Sequence, residues 1–127
     1  MSRDEIMYLR DIAASCDKIL RFTKSLGQPE LIQDERTYDA VVRNLEIIGE
    51  AVKNISVELK DRFPNIQWKE LAGLRDKLIH HYFGVNYDIV WHVVKNELPD
   101  ILYQLDEIEN AEKQKKHDVE ANSDNQN

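Results

Sequence analysis

Two long apolar stripes at helical spacing limit this chain more than any other feature. In the first, Ile6, Leu9, Ile12, Ala13, Cys16, Ile19 and Leu20 stand in i, i+3 and i, i+4 relation to one another. In the second, Val41, Leu45, Ile48, Val52 and Ile55 alternate steps of four and three. That spacing gathers the apolar side chains on one face of an α-helix, and would scatter them over both faces of a strand. Each stripe needs another helix to cover it. The chain therefore reads as all-α, an antiparallel four- to five-helix bundle. Its 4 glycines and 3 prolines are too few for a turn-rich β fold.

Punctuation sets the expected boundaries. Ser2 and Glu5 read as a capping box opening a first helix over about 3–24, which Gly27 and Pro29 end. Residues 25–33 read as a connection, and a second helix runs over about 34–59. After the break at Phe63, Pro64 and Asn65, a third helix spans about 68–82 and Gly84 stops it. Asn86 can cap a fourth over about 87–95. Asn96 can cap a fifth, with Pro99 tolerated in its first turn and Ile101, Leu102, Leu105 and Ile108 as its apolar face. From about Ala111 the chain turns charged and poor in apolar residues. The expected division is a helical domain over 1–110 and a disordered tail over 111–127, His117 included.

Gly49 stands inside the second helix, where it costs about 1 kcal/mol against Ala. Close approach of another helix at Gly49 and Ala51 would account for it. A second, polar stripe on this helix holds Arg43, Glu46, Glu50 and Lys53. It reads either as a solvated face of intrahelical ion pairs or, through Glu46 and Glu50, as a carboxylate pair for a metal or a proton. No third carboxylate or His stands at ligand spacing, so no metal is expected. Trp68 and Trp91 read as core or interface, and Cys16, on the first stripe, as a buried structural thiol. A lone cysteine rules out an internal disulfide and suits a reducing cytoplasm. No apolar run is long enough for a membrane span, and the opening residues lack the apolar core of a signal peptide.

The richest chemistry lies between Leu71 and Phe83. Arg75, Asp76, Lys77, His80, His81 and Tyr82 crowd about two helical turns beside an apolar stripe of Leu71, Leu74 and Leu78. The net charge of −7 argues against broad coating of nucleic acid. Residues 59–81 nonetheless carry Lys60, Arg62, Lys69, Arg75 and Lys77 against only Asp61, Glu70 and Asp76, which fits a small local phosphate site. Arg75 and Tyr82, seven apart, share a face to within about 20°, whereas Arg75 and His80 diverge by about 140° on an ideal helix. Either the helix end distorts near Gly84, or two copies of the helix assemble the site.

Arg75-x4-His80-x-Tyr82 resembles the R-x4-H-x-Y signature of HepT-type toxins, within the HEPN superfamily of ribonucleases. Arg43 to Ala51 resembles that family's second-helix signature. Tyr82 to Trp91, followed by Asn96 to Pro99, resembles its fourth-helix region. The likeness spans roughly residues 3–110. It implies a helical homodimer with the R-x4-H pair in the intersubunit cleft, acting as a metal-independent endoribonuclease without a cofactor. It also implies a type VII-like toxin–antitoxin system, in which a nucleotidyltransferase antitoxin of the MNT type moves AMP from ATP onto the motif tyrosine, here Tyr82.

The residue chemistry agrees with that implication. RNA is cut when a 2′-hydroxyl attacks the adjacent phosphate. A base must take the 2′ proton, fixed positive charge must stabilise the phosphorane, and an acid must protonate the leaving oxygen. His80 suits proton transfer at neutral pH, and Arg75 suits the phosphorane. A single His80 cannot easily serve both sides of one phosphate, whereas two related by a two-fold axis can. Asp76 either orients His80 or pairs with Lys77 or Arg75. Lys77 and His81 are supporting candidates, His81 as a substrate contact or a helix C-terminal cap. The bland alternative is a polar helix end, or a helical module that docks a nucleotidyltransferase or binds nucleotide without catalysis.

Overall fold

Ser2 and Glu5 open the first helix reciprocally. Glu5 N–H donates to Ser2 Oγ at 3.2 Å, and Ser2 N–H donates to Glu5 Oε2 at 3.4 Å. In the computed structural model, which describes residues 1–80 and 87–125, this helix is α1, Arg3–Thr23. For residues 79, 80 and 123–125 the description covers the backbone alone. The following helices are α2, Gln28–Gln33; α3, Glu35–Val52; α4, Val57–Arg62; α5, Trp68–His80; α6, Tyr87–His92; and α7, Leu98–Asn125. No strand occurs among the described residues. The all-α class read from the stripes holds.

The stripes form the core. Ile12, Cys16 and Ile19 of α1 and Val41, Leu45, Ile48 and Val52 of α3 have no solvent exposure, and α1 packs chiefly on α3. α3 is packed in turn by α5, and α1 also by α7. Glu5 Oε1 accepts from Ser56 N–H at 2.8 Å, which brings the start of α1 to the end of α3. Arg10 meets Glu109 at 3.7 Å while Lys95 Nζ donates to Thr23 O at 3.5 Å, so α1 and the α6–α7 arm also run in opposite directions. Trp68 is buried and donates Nε1–H to Phe63 O at 3.0 Å, pinning the turn before α5. Burial pushes the Cys16 thiol up to about 12, which suits a packing role and leaves no nucleophile at neutral pH.

Three boundaries differ from the sequence reading. The connection after α1 contains α2, because Pro29 stands in its first turn and Leu31 is buried against the core. The second helix ends at Val52 rather than near Leu59. Ser56, whose Oγ accepts from Leu59 N–H at 3.1 Å, caps a separate α4. Asn96 caps nothing. It sits in a π-helical turn, Val93–Glu97, that joins α6 to α7 without a break, and its Nδ2 lies 3.0 Å from His92 Nδ1. Beyond Ala111, α7 continues as helix to Asn125. It packs on little beyond Glu112, which Arg62 holds at 2.9 Å, and its helical backbone suits its Glu, Lys, Gln and Ala content and the Lys113–Glu109 pair at 3.8 Å. The buried core ends at Ile108.

Gly49 does what its position required. A Cβ there would lie 3.1 Å from Leu71 O and 3.4 Å from Arg75 N, so the backbone of α5 rests on this glycine. Gly49→Val should destabilise the fold by about 1–3 kcal/mol, because rigid helix backbone must move to admit the side chain. A lowered urea midpoint with unchanged m-value checks this; a parent-like midpoint contradicts it.

Candidate functional site

The polar stripe of α3 and the cationic end of α5 meet at this seam. Arg75 leaves α5 toward α3, and its Nη1 donates to Glu50 Oε2 at 2.7 Å. Around them Tyr8 and Asp11 of α1, Arg43, Glu46 and Ile47 of α3, and Asn54 line an open cleft of about 430 Å³. Arg43 and Glu46 form the intrahelical pair expected on that stripe, 3.6 Å apart. Glu50 does not; it crosses to another helix. Among the described residues no group of three or more His, Cys, Asp and Glu could hold a metal ion.

The other motif residues divide by position. Asp76 and Lys77 follow Arg75 on α5, both exposed and without an ion pair among the described residues; the carboxylate on Arg75 is Glu50, not Asp76. His80 closes α5, five residues after Arg75, and only its backbone is described. His81 and Tyr82 lie outside the described residues, as does Gly84. Of Arg75, Asp76 and Lys77, the motif residues whose side chains are described, Arg75 alone lines the cleft.

Sequence reasoning missed the link from Glu50 to Arg75. One signal was available: Gly49 marks the place where α5 touches α3, and the next residue must lie beside that seam. It also passed over Tyr8 and Asp11, because the first helix was read for its apolar stripe and neither residue belongs to it.

An all-α chain whose cleft carries an arginine from the R-x4-H segment belongs to a recognisable class. Residues 12–108 match the family model described as Ribonuclease HepT-like, and the chain belongs to this HepT-like family. Two proteins of Methanocaldococcus jannaschii, each named as a putative RNase, are 43% and 47% identical to it over 106 residues, 84% of this chain and 88% of each relative. The probable ribonuclease HepT of Thermococcus cleftensis is 45% identical over 101 residues, 80% of this chain and 92% of that protein. No solved structure matches significantly. No helix among the described residues is long and apolar enough to cross a membrane.

Proposed function

We propose that this chain is the toxin of a two-component toxin–antitoxin system and a metal-independent endoribonuclease acting on cellular RNA in the cytoplasm. The observation that carries this reading is Arg75 at a cleft, with His80 five residues on at the end of the same helix, in a chain of the HepT-like family. Arg75 binds the scissile phosphate and stabilises the phosphorane, while His80 moves protons. Two protomers related by a two-fold axis bring two Arg75 and two His80 side chains to one phosphate, which resolves the angle of about 140° between them on a single helix. Asp76, Lys77 and His81 support the site. A nucleotidyltransferase of the MNT type transfers AMP to Tyr82 and silences the toxin.

Expression in a bacterial host tests the reading. The parent chain should arrest growth and degrade RNA, and the double variant Arg75→Ala/His80→Ala should do neither while remaining folded and dimeric by sedimentation. Equal growth and intact RNA for both would favour a non-catalytic docking module. A monomer at micromolar concentration would remove the basis of the composite site.

A further inference from the structure

The 2.7 Å contact between Arg75 and Glu50 is poorly explained as a stabilising pair. Their side chains are 46% and 56% exposed. Exposed pairs of this kind contribute roughly 0.2–1 kcal/mol. The contact does fix a direction. A guanidinium carries five N–H donors in a rigid planar fork. Glu50 takes one of them, on Nη1, and no other described side chain accepts from Arg75. The same turn of α3 also fixes the other end of this residue, because Gly49 receives the backbone of Arg75. Asn54, one turn on, donates Nδ2–H to Glu50 O at 3.0 Å, the usual place for a side chain that closes a helix end.

We infer that Glu50 is the positioning residue for Arg75, holding one end of its guanidinium so that the remaining donors face a phosphate entering the cleft. This rests on the ribonuclease reading above. Two effects with opposite signs follow. Without the carboxylate, Arg75 samples other rotamers, and misplacement by about 1 Å can cost on the order of 100-fold in rate. The same loss removes a negative charge from beside the phosphate site, so RNA binds no more weakly. A purely structural Glu50 would act otherwise: its loss would lower the folded fraction, leave KM alone, and be equally severe for Ala and Gln.

The test compares the full chain with Glu50→Ala, Glu50→Gln and Arg75→Ala. It uses steady-state cleavage of a single-stranded RNA and binding of its 2′-O-methyl analogue, which lacks the attacking hydroxyl. Glu50→Ala should lower kcat by about 10- to 100-fold, with the analogue bound as tightly or more tightly. Glu50→Gln, which keeps an acceptor oxygen, should recover most of that loss. Arg75→Ala should lose cleavage and weaken binding. A parent-like kcat for Glu50→Ala overturns the inference. So does a loss that Gln does not recover, or one that follows the unfolded fraction. If the parent itself leaves RNA intact, the ribonuclease reading fails, and the Arg75 Nε–H resonance then decides the role of Glu50. Restricted side-chain motion that Glu50→Ala releases and Glu50→Gln retains supports positioning; unchanged motion overturns it.

Discussion

Replacing His80 with Ala should lower RNA cleavage by at least about 100-fold, the usual scale for losing a general acid or base. The loss should fall mainly on kcat, because an imidazole that moves protons contributes little to ground-state binding of RNA. His81→Ala is the matched control. It removes the same ring one position along the chain, a step of about 100° on a regular helix, and should cost much less. Rates measured on protein shown to be folded and dimeric separate the two. Equal losses at both positions, or parent-like cleavage by His80→Ala, would mean that the five-residue step from Arg75 does not select the proton-transfer group.

The second large effect concerns Tyr82. Seven residues after Arg75 in the sequence, it would share nearly the same face of a regular helix, about 10 Å further along. An AMP on its phenol can fold back over that distance and present a phosphodiester to the guanidinium that RNA needs. Co-expression with the transferase should therefore add AMP to the parent chain and abolish RNA degradation. Tyr82→Phe keeps the ring but lacks the acceptor oxygen. It should fold, stay active, gain no AMP by mass spectrometry, and remain toxic beside the transferase. AMP on Tyr87 or Tyr103 would move the modification elsewhere. Neutralisation of Tyr82→Phe would remove competition for Arg75 as the cause of silencing.

What was legible in the sequence follows from the range of each signal. The core was readable because a helix stripe is local. Val41, Leu45, Ile48 and Val52 had to lie on one face, and all four have no solvent exposure. Gly49 was readable as a contact point because a mid-helix glycine is costly unless something approaches it. The helix ends were less so. Ser56 and Asn96 are both residues that can cap, and only the surrounding packing decided that Ser56 opens α4 while Asn96 sits within a continuous arm. Of the residues that line the cleft, the sequence singled out Arg75 and the polar stripe of Arg43, Glu46 and Glu50. The partner of Arg75 comes from 25 residues earlier, and the one sign of it in the sequence was Gly49, a mid-helix glycine that another helix approaches.

The two stripes of α3 do different work. Its apolar stripe holds the bundle together, so truncation there acts through stability. Arg43, Glu46 and Glu50 of its polar stripe line the cleft, and Glu50 and Gly49 meet α5 from adjacent positions. Substitutions on the polar stripe should thus change catalysis with little change in the unfolding midpoint. Gly49 belongs to neither stripe and lies beneath the backbone of Arg75.

If Arg75 and His80 cut RNA by their own acid–base and electrostatic chemistry, cleavage needs no metal ion. Purified, unmodified protein incubated with single-stranded RNA in excess chelator, with the product ends identified by mass spectrometry, tests it most directly. The account predicts undiminished cleavage and 2′,3′-cyclic phosphate ends, the mark of attack by the neighbouring hydroxyl. Cleavage abolished by chelator, or products with plain 3′-hydroxyl ends, would contradict it.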